Sequence, residues 1–375
     1  MAKTKQDLQA ELQAEALFQI GNQYGVSVEI GTGGGKTLLG LKHMLKQYSD
    51  SAEFLVLASK KSILEEWKNE AIKHNLEYLL DHITFSTYRS LIKQPIYYDW
   101  VYADECHSFT INHTSWLDSY EINNGKLLGL TGTYPKNGDK QRICDTYCPR
   151  VFQYDVDEAI DNGMLNDYVI WVHLLKLDKR HTYQKTNKKT GGKWRTSEFK
   201  DYWGLTNAIE TSASIHKKQM LRIFRMKSMM KYPSKVAYTK KILNKIPKKA
   251  LIFANSKTQA GEISKHTYHS GNSDKVNQRV LEMFDEDMIY RVACIEQLSE
   301  GKNIRNLQVG IILHSFSDEK KTRQRIGRMF RLSPDKKAFI HILCYEDSID
   351  FKWVKNALSS YDQSKIHYYR EKKKR

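Results

Sequence analysis

Short apolar runs alternate with amphipathic stretches along most of the chain, a pattern typical of parallel sheets covered by helices. In the first half the apolar runs predict strands at 26–30, 53–58, 83–87, 100–103 and 127–131. In the second half they predict strands at 250–254, 291–295, 310–314 and 339–344. Ser256 and Ser273 are predicted helix N-caps between these strands. We therefore predict an α/β fold with two parallel sheets and right-handed crossovers.

The strand pattern divides the 375 residues into two domains, each long enough for its own core. We place the first domain at residues 1–165 and the second at residues 234–365. Residues 166–233 form a junction between them, and residues 366–375 form a basic tail. Within the junction, one long helix is predicted from 207 to 231.

The junction also contains a basic and aromatic insertion. Residues 168–177 have strand composition, and residues 179–200 contain eight lysines and arginines with aromatic residues between them. The turn sequence at 187–192 favours a hairpin. Basic groups contact phosphates and aromatic rings stack on bases, so a nucleic-acid arm or strand-separating pin is one interpretation and a solvated loop is the other. The candidate contacts are Lys185, Lys188, Lys189, Lys193 and Trp194.

A glycine-rich loop lies between the predicted strand 26–30 and a predicted helix at 38–47. Glycines let several backbone N–H groups point at one anion, and the helix adds the positive end of its dipole. We predict a nucleoside triphosphate there, with Lys36 at the β- and γ-phosphates and the Thr37 hydroxyl on Mg²⁺. A glycine-rich turn without a ligand is the alternative. The loop residues are Gly31, Thr32, Gly33, Gly34, Gly35, Lys36 and Thr37.

Two acidic residues, Asp104 and Glu105, directly follow the apolar run 100–103. The carboxyl ends of parallel strands share one edge of a sheet, so we expect this pair beside the glycine-rich loop. We predict that Asp104 binds Mg²⁺ and that Glu105 orients or deprotonates the attacking water. Two acids that cap a helix after a strand are the alternative.

A glutamine and two arginines share one predicted helical face in the second domain, namely Gln324, Arg328 and Arg331. Planar guanidinium groups suit the charge that spreads over a transferring phosphoryl group. We therefore predict that these residues complete the nucleotide site from the second domain, with the nucleotide in a cleft between the domains. A solvated basic helix is the alternative.

In their order these motifs resemble those of superfamily 2 helicases of the DExH type. The resemblance is nearest to XPB-like and UvsW-like DNA helicases and to the motor subunits of type I and type III restriction enzymes, and it covers nearly the whole chain. Residues matching motifs I, Ia, Ib, II, III, IV, V and VI are, in that order, 31–37, 54–67, 85–91, 104–107, 129–135, 251–256, 298–304 and 324–331.

The resemblance implies two tandem RecA-like domains that use ATP and Mg²⁺. It places Gly301 and Asn303 at the nucleotide, although Asn303 stands where relatives often have an aspartate that contacts the ribose. It also implies a glutamine upstream of the loop that contacts adenine. Gln13 is the candidate for that position, and Gln9 or a merely solvated helix glutamine are the alternatives.

The resemblance further implies residues that couple nucleotide to nucleic acid. It gives this role to His107, Thr131 and Thr133, and it implies a contact between His107 and Gln324. It assigns nucleic-acid contacts to Ser59, Lys60 and Thr87.

The charge of the chain favours an anionic partner. The formal net charge is +17 and the pI is about 9.4, which attracts polyanions such as nucleic acid, although basic soluble enzymes are also common. Five cysteines without a regular framework favour a reducing compartment, and Cys144 and Cys148 lack the second ligand pair of a zinc site. No apolar stretch of about 18 residues is present. We expect a cytoplasmic, soluble monomer that binds no membrane, and the sequence indicates no protein partner.

Taken together, these features predict an ATP-dependent helicase or translocase, with DNA preferred over RNA because of the resemblance. An RNA helicase is the first alternative. The second is a nucleic-acid-binding scaffold that does not hydrolyse ATP, and the presence of Lys36, Asp104, Glu105 and Arg328 argues against it.

Overall fold

The computed structural model describes residues 4–31, 34–163, 165–186, 191–246, 248–295, 304, 306–316, 322, 325–327, 329 and 337–370. These residues form two units, one ending at Asn166 and the other beginning at Asp167. Within these ranges no helix has both the length and the apolar composition needed to cross a membrane.

The first unit is built on a six-stranded parallel sheet. Its strands are β1 Val26–Ile30, β2 Phe54–Ala58, β3 Ile83–Thr87, β4 Trp100–Asp104, β5 Lys126–Thr131 and β6 Arg150–Tyr154, in the order β3-β2-β4-β5-β1-β6. Its helices are α1 Lys5–Ile20, α2 Lys36–Lys46, α3 Lys61–Lys73, α4 Thr114–Ile122, α5 Gly138–Tyr147 and α6 Val156–Asp161. Every residue of β2 and β4 is buried, as expected for central strands covered on both faces. The five strands predicted for this half are confirmed, and β6 is an additional edge strand.

The second unit is built on a seven-stranded parallel sheet and a separate hairpin. The strands in chain order are β7 Tyr168–Leu175, β8 Thr182–Thr186, β9 Lys193–Ser197, β10 Ala250–Phe253, β11 Thr267–Tyr268, β12 Arg291–Cys294, β13 Val309–Ile312, β14 Ala338–Tyr345 and β15 Ile366–Arg370. The sheet order is β11-β12-β10-β13-β14-β7-β15, and β8 pairs antiparallel with β9 in the predicted hairpin. The helices are α7 Glu198–Thr211, α8 Ile215–Met229, α9 Pro233–Lys245, α10 Lys257–Ile263, α11 Asp274–Asp285 and α12 Ile349–Leu358. The predicted N-caps are confirmed, because Ser256 accepts from the N–H of Gln259 and Ser273 from that of Val276.

Three assignments made from the sequence differ from the structure of this unit. β7, which the sequence places in the junction, lies inside the second sheet between β14 and β15. β15 occupies the start of the segment assigned to the basic tail, where Ile366 pairs with Ile170. Both differences arise because strand pairing across a long sequence separation leaves no local pattern. The helix predicted from 207 to 231 is two helices, because the Ser214 side chain accepts from the N–H of Lys217 and begins α8.

A buried ion pair lies in the core of the second unit. Lys235 on α9 places its Nζ 2.6 Å from Asp350 Oδ2, and both side chains are almost fully buried. The same Nζ donates to the carbonyl oxygens of Leu313 at 2.7 Å and Leu343 at 2.9 Å. One ammonium group therefore ties α9 to α12 and to the ends of two neighbouring strands.

Candidate functional site

The glycine-rich loop connects the end of β1 to the start of α2. Gly35 precedes α2 with φ 73°, a left-handed conformation that a residue with a Cβ adopts only at a cost. A Cβ at this position would also collide with the side chain of Gln9. Thr37 is the second residue of α2, where backbone N–H groups have no helical acceptor and suit an anion. Gly31 and Gly34 lie in the same turn, joined by a 3.2 Å backbone hydrogen bond, whereas Thr32 and Gly33 are outside the described residues.

Gln13 on α1 reaches this loop. Its Nε2 donates to the carbonyl oxygen of Gly35 at 3.1 Å, and its side chain is fully buried. Its Oε1 is also buried and has no hydrogen-bond partner among the residues that the structure describes. Gln13 is therefore not a solvated helix glutamine, and Gln9 lies beside it against the same glycine. A buried amide oxygen without a donor is a group that a ligand with an N–H can satisfy.

Lys36 and Glu105 both lie near Gly132. Lys36 Nζ donates to the carbonyl oxygen of Ile30 at 3.2 Å. A Cβ built on Gly132 would lie 3.3 Å from Lys36 Nζ and 4.0 Å from Glu105 Oε1. The predicted phosphate-binding lysine and the predicted base therefore both approach Gly132, where the absence of a side chain leaves room for them.

Asp104 is fixed in place by two aromatic side chains. Trp67 on α3 is fully buried and donates its indole N–H to Asp104 Oδ2 at 2.9 Å. The hydroxyl of Tyr88 donates to the Asp104 carbonyl oxygen at 2.9 Å, and burial raises the pKa of the Tyr88 phenol well above its ordinary value. Tyr88 therefore stays a donor. The sequence analysis gave no role to Trp67 or Tyr88. Because a buried tryptophan N–H normally requires an acceptor, Trp67 could have been predicted to donate to a nearby polar group.

Glu105, His107 and Thr131 form one hydrogen-bonded cluster. Glu105 has φ 58°, an uncommon backbone conformation for a residue with a side chain. Its Oε2 lies 3.2 Å from the Thr131 hydroxyl and 3.2 Å from His107 Nδ1, and His107 Nδ1 lies 2.7 Å from the same hydroxyl. The N–H of Thr133 donates to the Thr131 hydroxyl at 3.1 Å. Two of the three residues predicted to act in coupling, His107 and Thr131, are thus in contact with the predicted base, and Thr133 is linked to it through Thr131.

His107 keeps a second ring nitrogen for another partner. His107 Nε2 is buried and has no hydrogen-bond partner within the described part of the chain. Gln324, the partner implied by the resemblance, lies outside the described residues, as do Arg328, Arg331, Gly301 and Asn303.

Arg325, beside the predicted motif VI residues, is a structural arginine of the second unit. Its guanidinium donates to the carbonyl oxygens of His314 and Ile295, both at 3.2 Å, and lies over the ring of Phe253. Burial lowers the pKa of Arg325 to about 10. These contacts hold Arg325 against residues at the carboxyl ends of β10, β12 and β13. The sequence analysis gave roles to Gln324, Arg328 and Arg331 but not to Arg325.

Comparisons with known proteins bear on the second unit and on the fold. Residues 234–333 match the helicase conserved C-terminal domain. No curated protein matches the sequence. Among solved structures, the ATP-dependent Type ISP restriction-modification enzyme LlaBIII bound to DNA is similar, with a TM-score of 0.65 and 16% identity over 99% of this chain and 31% of that chain.

Two further structures are similar over most of their own length. One is a fragment of a putative HsdR subunit of a type I restriction enzyme from Vibrio vulnificus YJ016, with a TM-score of 0.59 and 15% identity over 96% of this chain and 67% of that chain. The other is S. cerevisiae Dbp5 bound to RNA and ADP BeF3, with a TM-score of 0.55 and 11% identity over 96% of this chain and 89% of that chain. The prediction of two tandem RecA-like domains with parallel sheets is confirmed.

Residues 234–333 therefore match a domain that is conserved in helicases, and the similar solved structures share the fold of nearly the whole chain. The chain spans 31% of the LlaBIII chain and is therefore similar to a part of that larger protein.

The residues that the sequence predicts to contact nucleic acid lie in two parts of the chain. Ser59 and Lys60 follow β2 and are exposed, and Thr87 ends β3. Because the sheet is parallel, these residues share its carboxyl edge with the glycine-rich loop. Lys193 and Trp194 are exposed on β9 of the hairpin, whereas Lys188 and Lys189 lie outside the described residues.

Lys185 requires a correction. Its Nζ lies 2.5 Å from Asp201 Oδ1 and 2.9 Å from the Ser228 hydroxyl, and its side chain is 24% exposed. The ammonium is thus paired with a nearly buried carboxylate and holds the hairpin to α7 and α8. A lysine with this partner is a poor candidate for a phosphate contact.

Proposed function

We propose that this protein is an ATP-dependent nucleic-acid motor that couples hydrolysis of Mg-ATP to movement along nucleic acid or to its unwinding, with DNA as the preferred substrate. The observation that carries the proposal is the approach of Lys36 and Glu105 to the same glycine, because a Cβ built on Gly132 would lie 3.3 Å from Lys36 Nζ and 4.0 Å from Glu105 Oε1. The similarity to a restriction enzyme bound to DNA supports DNA, and the similarity to Dbp5 bound to RNA keeps RNA as the alternative.

The residues present fit ATP and Mg²⁺. A glycine in left-handed conformation opens a helix N-terminus toward an anion, and the buried Gln13 Oε1 can accept from the amino group of adenine. Thr37 and Asp104 offer hydroxyl and carboxylate oxygens, which are the ligands that Mg²⁺ prefers. When bound, Mg²⁺ neutralises charge on the phosphate oxygens during phosphoryl transfer.

The roles of the protein residues follow from this arrangement. Lys36 neutralises the β- and γ-phosphates, and Trp67 holds the carboxylate of Asp104, which would bind the metal. Glu105 orients the attacking water and accepts its proton, while Thr131 and Gly132 keep its carboxylate in place through hydrogen bonds. In this proposal Gln324, Arg328 and Arg331 contact the transferring phosphate.

The experiment that tests the function is an ATPase assay of the purified chain alone and with single-stranded DNA, duplex DNA or RNA. We expect turnover that requires Mg²⁺ and that DNA stimulates more strongly than RNA does. Stronger stimulation by RNA would favour the RNA helicase. Nucleic-acid binding without any turnover would favour the scaffold instead.

Trp67→Phe is expected to raise the Mg²⁺ concentration needed for half-maximal turnover. The change removes the N–H that holds Asp104 Oδ2 but keeps an aromatic ring in the core. A hydrogen bond to a charged group contributes about 1.5–3 kcal/mol, so the required Mg²⁺ should rise about 10–100-fold. The measurement is a Mg²⁺ titration of the ATPase.

Trp116→Phe is the matched control for this variant. Trp116 is also buried in the first unit and donates its indole N–H to the Gln94 carbonyl oxygen at 2.8 Å, away from Asp104. An equal rise in the Mg²⁺ requirement of both variants would show a general loss of stability and would contradict the role given to Trp67.

The hairpin is expected to bind nucleic acid without taking part in ATP hydrolysis. Replacement of Lys188, Lys189 and Lys193 by alanine should flatten the salt dependence of duplex binding by about 0.9 of a log unit per lost phosphate contact. Trp194 is 47% exposed. Trp194→Ala should weaken the binding of single strands by about 1–3 kcal/mol and should have little effect on the salt dependence of binding. ATPase without nucleic acid should stay at the wild-type level.

Trp203→Ala is the control for the stacking variant. Trp203 is 42% exposed on α7 in the same unit but lies outside the hairpin. Lys185 stays unchanged in every variant because it pairs with Asp201. Wild-type affinity of both hairpin variants would identify the segment as a solvated loop.

A further inference from the structure

Three cysteines from two elements of the first unit meet in its interior. Cys106 directly follows the acidic pair and begins a short 3-10 helix. Cys144 lies in the last turn of α5, and Cys148 is the C-cap of α5. All three side chains are fully buried. Their sulfur atoms lie within 4.8 Å of one another.

This cluster differs from ordinary packing of small side chains. In the described part of the chain it is the one group of three or more histidine, cysteine or acidic side chains close enough to share a metal ion. Gly129 on β5 leaves room for it, because a Cβ there would lie 3.0 Å from Cys106 Sγ. Cys294 and Cys344 are also buried but belong to the second unit.

The spacing of the sulfurs suits coordination by three ligands. A cation about 2.3 Å from each of three sulfurs in one plane separates the sulfurs by about 4 Å. The observed upper limit of 4.8 Å is close to that value, so small side-chain rotations would suffice. The neighbouring carboxylate, Asp145, is exposed and accepts from the Tyr134 hydroxyl at 2.7 Å. Sulfur ligands without oxygen or nitrogen select soft metal ions.

We propose that Cys106, Cys144 and Cys148 form a three-thiolate site for a soft, thiophilic metal cation. Each metal–sulfur bond forms as one thiol releases its proton to solvent, so binding requires no oxidant or reductant. Magnesium is a hard ion that prefers oxygen ligands, so we do not expect it to bind at this site.

The site lies next to the predicted catalytic base, and this part of the inference rests on the proposed ATPase function. Cys106 directly follows Glu105, whose backbone is held in the left-handed conformation. A metal that fixes the Cys106 sulfur against α5 restrains that backbone and with it the Glu105 carboxylate. Occupation of the three-thiolate site therefore slows ATP turnover.

The test uses the reduced, metal-free 375-residue chain and Cd²⁺ as the probe, without nucleotide. We expect one Cd²⁺ per chain by equilibrium dialysis, with a sulfur-to-cadmium charge-transfer absorption in the ultraviolet. Cys106→Ser, Cys144→Ser and Cys148→Ser should each weaken binding by more than the roughly 10–100-fold that loss of an outer-shell partner costs. Cys294→Ser and Cys344→Ser are matched controls from the second unit and should bind as the wild type does.

A second measurement on the wild type avoids variants that fail to fold. Bound Cd²⁺ should protect the three cysteines of the cluster from alkylation under partly denaturing conditions, as read by peptide mass spectrometry, and should leave Cys294 and Cys344 unprotected. Absence of the charge-transfer band, or equal protection of all five cysteines, would overturn the site.

The effect on turnover is tested separately. Cd²⁺ at one equivalent per chain, with Mg²⁺ in excess, should inhibit the wild-type ATPase and leave Cys148→Ser active. Binding of Cd²⁺ without inhibition would overturn the effect on Glu105 but keep the site. A chain that binds Cd²⁺ and hydrolyses no ATP under any condition would instead contradict the proposed function.

Discussion

Glu105→Gln should bind ATP as tightly as the wild type and hydrolyse it about 10²–10⁴-fold more slowly. Glutamine has nearly the same shape as glutamate, and its amide oxygen can still accept from the Thr131 hydroxyl and the Gly132 N–H. It cannot accept the proton of the attacking water. The measurements are nucleotide affinity by equilibrium titration and steady-state turnover, and wild-type turnover would remove Glu105 from the role of base.

Lys36→Ala should fail at a different step. It removes the cation that lies beside Gly132, so nucleotide affinity should fall about 10–100-fold, the value of one charge-assisted hydrogen bond. Glu121→Gln and Lys46→Ala are the controls, because both residues are exposed at helix ends of the same unit. The contrast between a variant that binds without turnover and one that binds weakly separates the two roles.

The features that the sequence predicted correctly have local causes. Buried strands of the first sheet read as continuous apolar runs, and the glycines of the loop satisfy a backbone requirement at their own position. The hairpin of β8 and β9 was visible because its turn residues lie between the two strands. The edge shared by the loop and the acidic pair followed from parallel pairing alone.

The features that the sequence missed depend on contacts between distant residues. In the pairing of β7 with β14, Tyr168 lies opposite Ala338. The sequence of neither strand indicates which strand it pairs with. The bond from Trp67 to Asp104 and the ion pair of Lys185 with Asp201 are of the same kind. From the sequence, Lys185 in its basic segment was therefore predicted to contact nucleic acid. The structure shows that its ammonium group pairs with Asp201.

The apparent continuity of the helix from 207 to 231 has a different cause. Apolar residues recur at helical spacing through the break, so periodicity alone does not detect it. Ser212 is extended with ψ 130°, and Ser214 accepts the N–H of Lys217 to start a new helix. Serine side chains can form hydrogen bonds with backbone groups in place of the helical ones. Here the Ser214 side chain does so, and one helix ends and another begins.

Lys235→Met is expected to destabilise the second unit by about 3–5 kcal/mol, because it leaves the Asp350 carboxylate buried without its counter-charge. The carbonyl oxygens of Leu313 and Leu343 lose their donor in the same step. The measurement is the free energy of unfolding by denaturant, read from a probe in the second unit. Lys337→Met is the control in the same unit, since Lys337 forms an exposed pair with Asp167 and should change stability by no more than about 0.5 kcal/mol.

A double-mutant cycle distinguishes loss of the pair from loss of packing around Lys235. Asp350→Asn removes the charge but keeps an oxygen that can accept from the Tyr345 N–H, which now donates to Asp350 Oδ2 at 3.1 Å. With Met at 235 and Asn at 350, no uncompensated charge remains in the core, so the double variant should be more stable than the sum of the single effects by about 0.5–3 kcal/mol. Additive effects would mean that Lys235 acts through its two carbonyl contacts and its methylene chain. Non-additivity would instead show that charge pairing holds α9 and α12 to the strand ends of the second unit.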